Sequence, residues 1–149
     1  MVTPLAFAVP VGALEAVAGL LPFVLFGLVI ANFVTRFLAH RAHVRQAREG
    51  TDDEALSRYL PHEVTNVTLL LGSLLFTVVE PHGGVVLSVL VLGMFLSDFF
   101  EYESRKVEAR NDMAVERPKS ALAASVLVFL YAGFQSLFFV IQPLWNAVV

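Results

Sequence analysis

Asp98 lies within an apolar run and is the first residue of this sequence that demands a chemical account. It stands seven residues before Arg105, about 10 Å along a helix at the usual rise per residue. A charge held that deep in lipid costs roughly several kcal/mol unless it is paired or hydrated, so such residues face the interior of a bundle. Asp98, Tyr102 and Arg105 share one stripe at i, i+4 and i+7. Two chemistries fit: an acid that relays protons or cations, and a structural acid paired with Arg36, His40 or a water. The position of Asp98 away from mid-span favours the structural role.

Glu15, Glu80 and His82 form a second group at the opposite ends of the first two apolar runs. They would suit an outer proton port or a cation site. Glu15 falls where the lipid boundary is expected, and Glu80 is placed to end its helix, so interfacial groups in water are the simpler reading. A glutamate in a first span resembles the small multidrug-resistance exporters. Those have very short loops and weak charge bias, unlike this chain.

His40, His43 and His62 lie at the inner ends of the first two runs. Imidazoles there could ligate a b-type haem or line a quinone pocket. Haem needs two histidines facing each other within the bundle, and His40 and His43, three apart and just beyond Arg36, are expected to face headgroups or loops. A lipid or quinone contact at His40 or His62 therefore stands ahead of haem, and no intrinsic cofactor and no metal are expected. Neither a metalloprotease HExxH, a P-loop, a GxSxG elbow nor an Asp-rich metal pattern is present. Without cysteine there are no thiolate metal sites and no disulfides.

The small and aromatic residues read as packing. Gly27 with Ala31, and Ala132 with Ser136, make small-xxx-small pairs that permit close helix approach. Tyr131 and Gln135 are spaced to add hydrogen bonds between helices. Phe95, Phe99, Phe100, Phe129, Phe138 and Phe139 are expected at lipid or partner contacts rather than around a cofactor.

These residues are carried by four apolar runs. The chain is 57% hydrophobic and only 15% charged, against about a quarter charged in soluble domains. The expected fold is all-α: a single polytopic domain with transmembrane helices near 11–38, 62–80, 85–104 and 119–142 and charged helical extensions in the loops 39–61 and 105–118. Glu15 and Arg36 are 21 residues apart, about 31 Å at the helical rise, matching a hydrocarbon core of about 30 Å. They therefore mark the two interfaces of the first span, which should run as one helix from near Pro10 to near Arg48, kinked at Pro22. Met1 to Pro10 holds no Lys or Arg, so the first run is expected to be a retained helix and not a cleaved signal. Thr51–Glu54 has the form of a capping box and predicts a short helix with Leu56, Tyr59 and Leu60 on its apolar edge. Pro81-His82-Gly83-Gly84 reads as a tight turn, with a re-entrant hairpin as the structural alternative. Pro118 opens the last span, and Gln142-Pro143 closes it beside Trp145.

All ten lysines and arginines fall in two alternate segments: Arg36 to Arg58, and Arg105 to Lys119. Four spans put both segments on one side, and the positive-inside rule makes that side cytoplasmic. Both termini are then outside, in the plasma membrane. Eight of the ten are Arg, the loops are rich in Asp and Glu, and the net charge is −3. In its loop composition the chain resembles small membrane proteins of halophilic archaea. No basic footprint invites nucleic acid.

Three function classes follow. The absence of a catalytic constellation, the small soluble parts and the broad helical faces predict a non-catalytic accessory subunit of a larger membrane complex. By analogy the host would be respiratory or otherwise energy-converting. The alternative is a small proton- or cation-coupled transporter or channel using Asp98 with Glu15 and Glu80, a reading that a lone homodimer would favour. An enzyme acting at the membrane ranks last, for want of paired carboxylates or a His-rich motif.

Overall fold

The computed structural model describes residues 18–49, 56–111, 113–115 and 117–148, with the side chains of 139 and 140 excepted. Among them are four helices and no strand: α1 (Leu21–Glu49), α2 (Leu60–Val79), α3 (Pro81–Arg110) and α4 (Lys119–Val148). Each has a stretch long and apolar enough to cross a membrane, as a multi-pass membrane protein requires. α2, with 20 residues, is about 30 Å long, while α1 and α3 reach about 45 Å and carry charged turns at one end.

The helices form an up-down-up-down bundle in which α1 packs on α2, α2 on α3, α3 on α4 and α4 on α1. Each pairing is antiparallel. Asn32 meets Asn66 while Thr35 meets His62; Arg36 meets Ser125 while Pro22 meets Ser136. The reason lies in the spacing of the buried residues. In α1 these are Pro22, Leu25, Val29, Asn32, Arg36, Ala39 and His43, alternating steps of three and four. α2 repeats the pattern with His62, Asn66, Leu69, Ser73 and Phe76, and α4 with Ala121, Ser125, Val128, Ala132 and Gln135. A 3.5-residue repeat is the seam of a left-handed bundle. Leu25, Val29, Leu69, Phe76, Leu87, Val91, Met94 and Val128 fill the core. Rows of Leu, Val and Phe on the outer faces stay exposed, as lipid-facing surface does.

Several boundaries differ from expectation. Pro22 does not kink a long helix: residues 18–20 form a turn, α1 begins at Leu21, and Pro22 lies in its first turn, where the missing N–H costs nothing. Glu15 and the segment before residue 18 lie outside the described residues. The 81–84 turn shrinks to Glu80, because Pro81 is already the first residue of α3 and Gly84 N–H donates to the Glu80 carbonyl at 2.7 Å. Gly83 and Gly84 serve packing instead. A Cβ on Gly84 would collide with the Thr77 backbone, and one on Gly83 would press on Gln135. Residues 56–59 are not helical; of the expected short helix, 51–55 lie outside the described residues. α4 continues through Pro143 to Val148 rather than stopping at it.

Candidate functional site

Five polar side chains, one or two from each helix, meet in a single layer toward the end of the bundle that carries the Lys and Arg residues. Asp98 of α3 is its centre. Arg36 donates through Nε to Oδ1 at 3.2 Å and through Nη2 to Oδ2 at 2.6 Å. His62 Nε2 reaches Oδ2 at 3.2 Å, and Asn66 Nδ2 donates to the same oxygen at 3.1 Å. The carboxylate thus accepts four bonds from α1 and α2. The third nitrogen of Arg36, Nη1, donates to Ser125 Oγ of α4, which passes its own hydrogen to the Ala121 carbonyl at 2.6 Å. Arg36 is 2% exposed and Asp98 12%, so the two charges neutralise each other away from solvent. Burial of two charges is tolerable in such a setting only with this degree of hydrogen bonding.

A second row extends the layer through α1 and α2. Asn32 Nδ2 donates to Asn66 Oδ1 at 2.7 Å and to Thr65 Oγ1 at 2.9 Å. Thr35 Oγ1 lies 2.9 Å from His62 Nδ1 and 3.0 Å from the Asn32 carbonyl. Two arrangements of hydrogens satisfy this geometry. With neutral His62, Thr35 donates to Nδ1; with the imidazolium, Nδ1–H donates to Thr35, whose hydroxyl turns to the Asn32 carbonyl. Neither arrangement orphans a neighbour of His62. A crevice of about 20 Å³ lined by Arg58, Glu63, Asn66, Phe95, Asp98 and Phe99 opens beside the carboxylate, room for a single water. In the other direction the seam turns apolar. From Val29 to Ala132 its polar residue is Ser73, which bonds to the Leu70 carbonyl of its own helix at 2.9 Å.

A separate polar layer lies one to two turns further out. Arg105 Nη1 donates to His43 Nδ1 at 3.0 Å, which fixes the hydrogen of His43 on Nε2, where it meets the Ser57 carbonyl at 2.9 Å. Glu101 lies 3.8 Å from Arg105 and accepts the backbone N–H groups of Ser120 and Ala121 at 2.8 and 3.1 Å. It therefore caps the start of α4, where backbone donors are unpaired and the helix dipole favours an anion. Tyr102 donates to the Leu56 carbonyl at 3.3 Å, and the Arg58 guanidinium lies 4.5 Å from its ring.

The predicted stripe thus divides. Asp98 faces the interior and pairs with Arg36, one of the expected partners, together with His62 and Asn66 in place of His40, but Tyr102 and Arg105 belong to the outer layer. Of the two settings expected for His43, headgroups or loops, the loop is the one found: it is buried against Arg105 and the 56–59 connector. His40 is half-buried and does not pair with Asp98, and both ring nitrogens of His62 are engaged. Glu80 is partly buried at the hairpin and His82 is exposed; neither joins the Asp98 layer. Phe129 turns inward, stacking on Phe26 at 5.0 Å, whereas Phe99, Phe100 and Phe138 are exposed. Gly27 and Ala31 face outward, with nothing within 4 Å of a Cβ on Gly27, while Ala132 and Ser136 are buried against α1. Tyr131 and Gln135 bond to each other at 3.1 Å and, among the described residues, not across helices.

Sequence reasoning placed Arg36 at an interface and overlooked Asn32, Asn66 and Ser125. The signal was present: all four fall on the alternating three-and-four register. In lipid, apolar residues occupy both faces of a helix, so polar residues on a common register are what reveals the inner one.

Residues 3–149 match the family described as Domain of unknown function (DUF7313), and the chain belongs to it. No curated protein and no solved structure matches the chain.

Proposed function

We propose that this member of the DUF7313 family is a non-catalytic structural subunit of a larger membrane assembly, in the plasma membrane, with both termini outside and both basic segments cytoplasmic. The observation that carries this reading is the saturation of the Asp98 carboxylate. Two nitrogens of Arg36 with His62 and Asn66 supply its four donors, and the seam on the hairpin side is packed largely with apolar side chains. A group so held is suited to fixing helix register, a role attested for buried polar seam residues. The long apolar outer faces supply area for other membrane subunits as well as lipid. The charge distribution supports the orientation, since every Lys and Arg lies in the two segments on one side of the four spans. An energy-converting host remains an analogy from the small size of the chain. Purification from native membranes in mild detergent, with mass spectrometry of what co-purifies, tests the proposal. A stable set of redox subunits supports it. A lone homodimer that moves protons when reconstituted in liposomes overturns it.

One observation favours the alternative, a small proton-coupled transporter. The two hydrogen arrangements at His62 and the crevice beside Asp98 would let a proton reach the cluster from the basic end. Flux that survives reconstitution and is abolished by both Asp98→Asn and His62→Gln, in variants that melt as the parent does, would establish that reading instead.

A further inference from the structure

A groove on the basic end of α1 takes no part in the Asp98 cluster. It has a volume of about 750 Å³, and Leu38, His40, Arg41, Arg45, Arg48 and Tyr59 are among the residues lining it. Arg41, Arg45 and Arg48 are exposed and recur at i, i+4 and i+7 along one stripe. Among the described residues none of the three is ion-paired, and Glu49 is the single acid on the wall. His40 Nδ1 is closed off from solvent and has no hydrogen-bond partner among the described residues. The Arg41 guanidinium lies back over the exposed Phe37 ring at 5.7 Å, so the cationic row begins where the lipid-facing surface stops. From Leu38 to Arg48 the helix rises about 15 Å, from the hydrocarbon edge out through headgroup depth.

An apolar rim followed by a row of guanidiniums that are unpaired among the described residues is the profile of a site for an anionic amphiphile. Guanidinium groups match phosphate oxygens in charge and geometry, and rows of basic residues beside a membrane span attract anionic lipid. We infer that this groove is a binding site for the phosphodiester headgroup of an anionic phospholipid, held by Arg41, Arg45 and Arg48, with His40 and Tyr59 on its wall. The inference rests on the spans crossing a membrane and on neither functional reading.

The test uses the full chain in mild detergent and native mass spectrometry with phosphatidylglycerol or phosphatidylcholine added. The parent protein should retain phosphatidylglycerol about tenfold more than phosphatidylcholine. The variant carrying Arg41→Gln, Arg45→Gln and Arg48→Gln should lose that preference. These side chains are exposed, and an unchanged melting temperature checks that the bundle is intact. A charge-matched control carrying Lys106→Gln, Arg110→Gln and Lys119→Gln should keep the preference. An equal loss in the control would mean that net charge alone attracts the lipid, and would overturn the site. Displacement of phosphatidylglycerol by excess inorganic phosphate would overturn the lipid headgroup as ligand in favour of free phosphate. Equal retention of both lipids by the parent protein would overturn the inference altogether.

Discussion

Arg36 and Asp98 stand 62 residues apart in sequence and meet side-on, Nε to Oδ1 at 3.2 Å and Nη2 to Oδ2 at 2.6 Å. The pair joins α1 to α3 across the bundle; His62 and Asn66 tie in α2, and Ser125, accepting from Arg36 Nη1, ties in α4. Losing one partner strands a buried charge, which costs about 3–5 kcal/mol, whereas replacing both with apolar residues often recovers much of that loss. Asp98→Leu and Arg36→Met should each lower thermal stability in detergent by an amount of that order. The double variant should lie well above the sum of the two. Additive losses would mean that the charges do not act as a pair.

Asp98→Asn should be costly as well. Asparagine keeps the shape but presents one acceptor oxygen where the carboxylate accepts four bonds, and it leaves the Arg36 charge uncompensated. Melting temperatures should place Asn between the parent and Leu. Full tolerance of Asn would show that the cluster is solvated.

The hairpin glycines give a sharper contrast. Gly84→Ala puts a methyl group into the Thr77 backbone and should destabilise the bundle by about 1–3 kcal/mol through overpacking. Gly27→Ala faces open space and should be neutral or stabilising by about 1 kcal/mol from helix propensity. Denaturation of the two variants side by side measures the difference.

Tyr102→Phe should loosen the connector at 56–59, whose Leu56 carbonyl accepts the phenolic hydrogen. The expected loss is about 1 kcal/mol, typical of one hydrogen bond. Hydrogen exchange should rise at Ser57 to Tyr59 and stay unchanged in α2. Unchanged exchange at the connector would show that His43 and Gln46 hold it without Tyr102.

Orientation can be read on a chain with no cysteine of its own. His82 and Arg110 are both exposed, at opposite ends of α3. In intact cells a membrane-impermeant maleimide should label His82→Cys, and should label Arg110→Cys only after permeabilisation. The reverse pattern would invert the proposed topology.

By itself the sequence determined the membrane class, the four apolar helices and the segregation of positive charge. Each is a property of local composition that lipid and water read segment by segment. It also determined that Asp98 needs a partner, because an unpaired acid in an apolar run is costly whatever surrounds it. The tertiary structure decided which partner. Arg36, the neighbouring His62 and Asn66, and Ser125 come from three separate helices, and only the antiparallel register of the bundle brings them into one layer with Asp98. Helix ends were decided there too: Pro22 opens α1 instead of kinking it, and Glu101, which sequence reasoning did not single out, caps α4. The physical reason is that lipid makes outward and inward apolar faces alike. The identity of the inner face, and therefore of the site, emerges only when polar groups on separate helices find one another.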